Sequence, residues 1–429
     1  MNTRPTAHVR PATLAVGLIS FLFSLQCPAG AAWLTESGGA DMAMASAGRA
    51  AFATDSTTIA ANPAGMLALN GSRVSVVAMP IGLDLRFHGD GETPGSAVNE
   101  QRTVPTMSVF AARHAGRWAV GMGAYGNIGL GCDFGKEWSG RRAIEDAELR
   151  SVNLAPAVAY SLNDRLGVGA SIGAQYADAK AGMAVSGEAI YYGPPLDLPD
   201  GQLHMTGHSW APVANLGLVY RTDDGTRLGL AWTSTVDHSL DMDVRASAVH
   251  PLLAGMLQQQ GPAQLDVSLP QQFTLSAARQ VAPATLLAAS VGWQQWSGFG
   301  DARMRIGGQG RPMFENGLSD TWNVAVGLRH SLDPRWTLAT GIAYDSDPSS
   351  HGTMPIYFPM AEQLRLAAGA DYQYSETLLL RVALSVISQG DVRVAQETYP
   401  VPLPGIPAVT GTISGSRIYA LAFTADYRP

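Results

Sequence analysis

Apolar and polar residues alternate one by one through most of the chain. From Leu228 the even positions read Leu228, Leu230, Trp232, Ser234, Val236, His238, Leu240, Met242 and Val244, while Arg227, Gly229, Ala231, Thr233, Thr235, Asp237, Ser239, Asp241, Asp243 and Arg245 fill the odd ones. A period of two belongs to a strand with one apolar face, and about eighteen residues of it far exceeds the five or six of an ordinary strand. Leu166, Val168, Ala170, Ile172, Ala174 and Tyr176 repeat the split against Arg165, Gly167, Gly169, Ser171, Gly173 and Gln175. Trp336, Leu338, Thr340, Ile342 and Tyr344 do the same against Arg335, Thr337, Ala339, Gly341 and Ala343. One face is apolar, the other small or charged.

The pattern predicts strands near residues 72–88, 102–114, 117–130, 148–162, 165–179, 207–221, 226–247, 269–280, 284–306, 319–332, 335–346, 361–374, 377–390 and 414–427. Fourteen is an even number, as single-chain bacterial barrels require. A secreted sandwich also alternates. Against it stand very short turns at one end (Asn163-Asp164, Asp223-Asp224-Gly225, Asp333-Pro334, Ser375-Glu376), long irregular connections at the other, and aromatics near strand ends such as Tyr160, Tyr220, Trp322, Trp336 and Tyr372. Those features predict an all-β fold, a 14-stranded antiparallel transmembrane β-barrel over residues 71–429.

Ahead of the strands, Trp33 to Leu69 has neither strand alternation nor an uninterrupted amphipathic helix. Such an Ala/Gly/Ser-rich segment is either a tail or a body folded inside the sheet, and we read residues 32–70 as a plug in the lumen. Before it, Arg4 and Arg10, the uncharged apolar run Ala12 to Leu25 and the small residues Ala29-Gly30-Ala31 make residues 1–31 a cleavable secretory signal peptide, too short to span a bilayer. Gln26 before Cys27 argues against a lipoprotein anchor.

Cleavage removes Cys27 and leaves Cys132 as the sole thiol, so the exported chain has no internal disulfide and no cysteine zinc site. It also leaves 26 basic against 35 acidic residues, a net charge near −9 that makes nucleic acid a poor partner. Exported, yet with no later apolar run long enough for a membrane helix, the chain fits an outer-membrane protein whose spans are strands. No cofactor, metal or covalent chemistry is implied.

Several stretches resemble the FadL/TodX family of outer-membrane transporters for long-chain fatty acids and hydrocarbons. Asn62-Pro63-Ala64-Gly65 is similar to that family's hatch motif, and Ala47-Gly48-Arg49-Ala50 and Asp55 lie where its hatch has like residues. Trp138-Ser139-Gly140-Arg141, Val152 to Tyr160, Thr226 to Leu230, Leu269-Pro270, Trp293 with Trp296-Ser297, Asp320-Thr321-Trp322, Trp336-Thr337-Leu338 and Gly341 to Asp345 follow in family order over nearly all of the mature chain.

The resemblance implies an N-terminal hatch (Asn62, Pro63, Ala64, Gly65) filling the lumen of a Gram-negative outer-membrane barrel. It further implies passive transport, with capture of hydrophobic molecules by external loops and sideways release through a gap at the third strand. There Gly126, Asn127 and Gly129 are the candidates, with close packing against the plug as the other reading of those glycines. The capture loops would be residues 181–206, with Ile190, Tyr191 and Tyr192, and 248–268, with Leu252, Leu253 and Met256. Long-chain fatty acids come first as cargo and neutral or aromatic hydrocarbons second. Where the family places an arginine for the carboxylate this chain has Met183, so Lys180 is the nearest cation.

Met42, Met44, Phe52, Ile59 and Met66 are read either as plug core or as a soft apolar lining. Arg329, Arg365 and Arg381 have lumen-facing parity and are expected to be partnered internally. An outer-membrane lipid hydrolase is the different-class alternative, but Ser234 and His238 stand roughly 13 Å apart on one strand and no nucleophile elbow is visible. A general porin would need an open lumen, against the plug. The final Arg428-Pro429 departs from the aromatic ending usual in such barrels, although Tyr419, Leu421, Phe423 and Tyr427 keep the alternation. Hydrophobic small molecules and outer-membrane lipids are the expected partners, and a monomer the expected state.

Overall fold

The computed structural model describes residues 32–33, 36–91, 93–100, 103–188, 198–252, 254–255, 261–397, 399–401 and 406–429, with only the backbone at 32, 33 and 130. The signal segment lies outside the described residues, as do Ile190, Tyr191, Tyr192, Leu253 and Met256.

Fourteen antiparallel staves form the wall. In chain order they are β1 Ser72–Asp84, β2 Thr103–Ala115, β3 Trp118–Asp133, β4 Asp146–Ser161, β5 Leu166–Val185, β6 Gly201–Arg221, β7 Arg227–Thr233 continued by Val236–Ser247, and β8 Ala263–Leu269 continued by Gln272–Ala282. Then follow β9 Thr285–Gln294, β10 Thr321–Ser331, β11 Trp336–Asp345, β12 Gln363–Gln373, β13 Leu378–Gln389 and β14 Arg417–Tyr427. Each pairs with its neighbours, and β1 closes the sheet by pairing with both β2 and β14. Closure satisfies the backbone without water, which a bilayer demands.

The apolar face points out. On β10, Trp322, Val324, Val326 and Leu328 are exposed while Thr321, Ala325 and Gly327 are buried. In lipid that exposure costs nothing, and it sets the height of the apolar band. Trp118 packs on Tyr160 at 4.5 Å and Trp336 on Tyr372 at 4.7 Å, both at the short-turn rim, where aromatic rings suit the periplasmic interface.

Three strand predictions need correction. The strand expected over 72–88 stops at Asp84, and Arg86–Gly89 joins Gly95–Val98, Val392–Gln396 and Val409–Ile413 in a separate small sheet. The strand expected over 284–306 breaks at Gln294 into the helix Trp296–Gly300 before resuming at Arg303–Ile306, which pairs with β8. On β7 the apolar set changes sides: Leu228 and Leu230 face lipid, whereas Val236, His238, Leu240 and Met242 are buried and Asp237, Ser239, Asp241 and Asp243 are exposed. The cause is one extra residue, since the register with β6 slips between Thr233↔Asn215 and Asp241↔His208. A bulge of this kind turns every later side chain to the opposite face. Ser234 closes it, donating its N–H to Ala214 O (2.9 Å) and accepting Ala214 N–H on Oγ (3.1 Å).

The lumen holds the chain from Glu36 to Leu69. Small residues leave it only short helices, α1 Gly39–Ala43, α2 Thr58–Ala61 and a 3-10 turn Pro63–Ala68. Inward glycines of the wall make room for it. A Cβ on Gly217 would lie 1.8 Å from Asn62 Oδ1, one on Gly229 1.9 Å from Ala50 O, and one on Gly341 2.2 Å from Met44. The small face seen in the sequence is therefore a seat. Met42, Met44, Ile59 and Met66 are fully buried with it, as core rather than as a ligand lining.

Buried ion pairs fasten the seat. Arg381 binds Asp55 of the hatch and, on its own wall, Asp371 (Nε–Oδ1 2.5 Å), which also takes Arg329. Arg365 binds Glu36 and Asp345 (3.2 Å), and Arg73 binds Asp426 (2.8 Å). Opposite charges match at each buried point, so no lone charge is left there to be desolvated.

Candidate ligand pocket and wall opening

Where the long loops meet the barrel, the ends of β4 to β8 splay around an apolar pocket roofed by the connections 295–320 and 346–362. The roof is aromatic. Phe299 lies 5.1 Å from Phe358 and 5.7 Å from Phe314, and Phe314 and Phe358 meet edge to face at 5.1 Å. Met183, Met205, Met242, Met304 and Met313 complete much of the lining. Thioethers adapt their shape to different apolar occupants. The pocket's cavity volume is about 120 Å³, close to the roughly 150 Å³ of an engineered apolar cavity that takes up benzene.

Lys180 reaches the pocket from β5, but directly across the ladder stands Glu148 of β4, and Nζ lies 2.7 Å from Glu148 Oε2. Arg150 contacts the same carboxylate at 3.2 Å and Asp178 at 2.6 Å. The two tyrosine hydroxyls at the pocket are also engaged: Tyr357 donates to Met313 O, and Tyr399 to Pro407 O (2.8 Å). Burial pushes both phenols up, so they stay protonated donors. Beside the pocket, Asp200 is clamped by Arg141 (2.8 Å) and Arg142 (2.7 Å). Burial acts to raise this carboxyl, but the two guanidinium groups outweigh it and hold it below its ordinary value. Among the described residues no group of acids, histidines or cysteines is arranged to hold a metal.

The wall's ladder parts at β3. Its ladder with β2 runs from Ala115↔Trp118 to Val109↔Ala124 and stops, so residues 103–108 of β2 and 125–133 of β3 share no pairing. The two sides meet again where Glu100 N–H donates to Asp133 O (2.7 Å). Phe110 and Tyr125 stack at 5.4 Å where the strands part. The β3 backbone turns away because it carries one extra residue, the register with β4 slipping between Gly126↔Val152 and Gly129↔Arg150. Asn127 points inward at this bulge and accepts hydrogen bonds from Ser151 Oγ (2.6 Å) and Gln175 Nε2 (3.2 Å). Into the parted region comes the stretch ahead of the hatch: Ala32 and Trp33 pair with Gly129 and Ile128.

The hatch residues Asn62, Pro63, Ala64 and Gly65 come together at the β5–β7 wall. Asn62 is wholly buried and spends all its polar atoms, accepting Ala64 N–H (3.0 Å) and donating to Ala50 O (2.6 Å) and Leu218 O (3.1 Å). Pro63 at the first position of the 3-10 turn surrenders a donor that would have had no partner there. Backbone near Gly169 is equally close: a Cβ there would lie 2.3 Å from Ala64 N.

Of the capture-loop candidates, Leu252 is described and is two-thirds exposed. It is absent from the pocket lining. Both loops are shorter than expected, since β5 extends to Val185, β6 begins at Gly201 and β8 begins at Ala263. The aromatic roof was not singled out from sequence, although Phe299, Met304, Met313, Phe314, Tyr357 and Phe358 are an unusual density of large apolar residues for two irregular connections. Ser234 and His238 are not a catalytic couple: His238 bonds Ser209 (2.7 Å) and Gln175 (3.0 Å), and Ser234 is spent on its bulge.

With this geometry in hand, comparison with known proteins is informative. A family model described as outer membrane protein transport protein (OMPP1/FadL/TodX) matches residues 20–428. A long-chain fatty acid transport protein of Escherichia coli is 27% identical over 86% of this chain and 90% of its own length. Outer membrane protein P1 of Haemophilus influenzae is 24% identical over 80% of this chain and 83% of its own. Among solved structures, a Pseudomonas aeruginosa FadL homologue superposes with a TM-score of 0.79 at 18% identity, covering 92% of this chain and 99% of that one. The Pseudomonas putida toluene transporter TodX superposes at 0.68 with 15% identity, covering 91% and 98%. At such identities the two structures speak to the fold.

Proposed function

The chain belongs to the OMPP1/FadL/TodX family of outer-membrane transport proteins, and from that premise we propose that it carries small uncharged hydrophobic molecules, of the monoaromatic hydrocarbon class, passively across the outer membrane. As a family member it is a transporter of hydrophobic compounds and not an enzyme. One observation carries the finer reading: among the described residues lining the outer pocket the one cation, Lys180, is matched by Glu148, so the pocket is apolar and electrically balanced.

A carboxylate in that pocket would have to compete with Glu148 for Lys180 and bring two like charges together at one ammonium, with Arg150 the remaining partner of Glu148. A neutral ring faces no such exchange. Its transfer from water is favoured by about 25 cal/mol per Å² of apolar surface covered. From the pocket, Gly131 of the lining leads onto β3 and to the parted wall beside Gly126, Asn127 and Gly129, where the cargo leaves sideways into the bilayer. The hatch then need not be expelled.

A second reading, long-chain fatty acids, is favoured by what the E. coli relative is named for and by the partial exposure of Lys180. Uptake of labelled toluene and labelled oleate by cells lacking their own transporter, with and without this chain, separates the two. Faster toluene entry with unchanged oleate supports the proposal. Faster oleate entry with unchanged toluene rejects it in favour of fatty acids.

A further inference from the structure

At the opposite mouth, the short-turn rim, Arg221 at the end of β6 stands directly across the ladder from Arg227 at the start of β7. Arg165 continues the row, its carbonyl accepting Arg221 N–H at 2.8 Å. Like charges directly opposite on one sheet face repel, and sheets normally avoid the arrangement. The rim acids do not relieve it. Asp223 is taken by Arg165, and Asp224 by Arg279 (2.8 Å). Among the described residues neither the Arg221 nor the Arg227 guanidinium has an ion pair.

The pair opens onto a cavity. Arg165, Arg221 and Arg227 share its lining with the hatch residues Ala51, Ala53, Ala64, Gly65 and Leu67 and with Val219. The space is about 120 Å³. Asp164 is the one acid on the lining, and it is exposed to solvent at the turn. Arg227 is half-buried, held with its guanidinium carbon 5.5 Å over the Phe52 ring, so its charge is fixed toward the hatch rather than free to swing into water. Two cations without ion pairs among the described residues, Arg221 exposed at the rim and Arg227 anchored on an aromatic face, thus stand beside a small recess of mixed apolar and polar lining.

We propose that this inner cavity binds an organic monocarboxylate with a small apolar body, the carboxylate bridging Arg221 and Arg227 and the body lying on Leu67, Ala51 and Val219. Guanidinium groups hold carboxylates through paired N–H donors, and the bound anion cancels the cross-strand repulsion. The site owes nothing to the outer pocket and stands whichever cargo that pocket takes. It gives the periplasmic face a charge preference that the balanced outer pocket lacks.

Calorimetric titration of the full mature protein in detergent with benzoate, and with benzyl alcohol as the neutral body, tests this. Benzoate should bind, and Arg221→Gln or Arg227→Gln should weaken it roughly tenfold or more, while Arg335→Gln, exposed at another short turn of the same rim and absent from the cavity lining, leaves it unchanged. Because Arg227→Gln also removes the repulsion, its melting temperature without ligand should equal or exceed that of the parent, and benzoate should raise the parent's but not the variant's. Benzoate affinity unchanged in both arginine variants overturns the proposal. So does a loss of benzyl alcohol binding in both arginine variants as large as the loss of benzoate binding. Displacement of benzoate by inorganic phosphate at equal concentration would reduce the site to an anion patch, and displacement by short-chain phosphatidylglycerol but not by hexanoate would give it to a lipid headgroup.

Discussion

Lys180 and Glu148 face each other across the β4–β5 ladder with 2.7 Å between Nζ and Oε2, so the pocket's cation and its counter-charge are built in as a unit. Glu148→Gln keeps the shape and removes the negative charge. Lys180 is then short of a full partner, and uptake of a carboxylate such as oleate should rise several-fold relative to toluene. Competition between the two labelled compounds measures it; an unchanged ratio would mean that Lys180 does not meet the cargo.

The proposed release through the wall rests on the extra residue at Asn127. Deleting Asn127 restores one register between β3 and β4 along its whole length and should draw β3 back along β2. Hydrocarbon uptake should then fall roughly tenfold, about 1.4 kcal/mol on the barrier, while the amount of folded protein in the outer membrane stays the same. Full uptake by the deletion variant would assign release to another route.

The hatch seat can be disturbed by single methyl groups. In Gly217→Ala the new Cβ would lie 1.8 Å from Asn62 Oδ1, so the Asn62 contacts to the wall must break. The expected cost is about 1–3 kcal/mol, with greater sensitivity of cells to large hydrophilic antibiotics as the plug loosens. Gly298→Ala, where nothing lies within 4 Å of the new atom, is the neutral control. Equal behaviour of the two would contradict the seat.

Arg381 is the main bridge between hatch and wall charges, with Asp55 on one side and Asp371 on the other. Arg381→Gln leaves buried carboxylates short of a partner and should cost about 3–5 kcal/mol, read as a lower midpoint in urea for the barrel in vesicles.

Asp200 provides a pH readout. Its carboxyl is held below the ordinary 3.8, so the clamp on Arg141 and Arg142 contributes stability above that value and loses it as pH falls through the depressed one. The melting temperature of the barrel in detergent should therefore hold at pH 4 and fall only below it. In Asp200→Asn it should be lower and insensitive to pH over that range.

The wall was largely legible because its signal is local. Trp322, Val324, Val326 and Leu328 can be read from four alternate letters, and each faces lipid. What escaped was information carried by register. The bulge at Ser234 leaves no mark in composition, yet it sends Val236 and Leu240 inward where the same parity had sent Leu228 outward. Lys180 was visible as a cation but Glu148 was not visible as its partner, because the two meet only once β4 and β5 are aligned. The hatch motif was recognisable at Asn62, whereas its wall acceptor Leu218 O lies 156 positions away. The aromatic roof was missed for a related reason: irregular connections have no period to read.

The seating of the hatch also constrains how the molecule can be assembled. Gly39 N–H donates to Thr424 Oγ1 at 3.0 Å, and Arg73 and Ser75 of the first stave bind Asp426 of the last. The segment that is exported first thus finds some of its partners on the strand that is made last. Its full set of bonds therefore exists only once the last stave is in place.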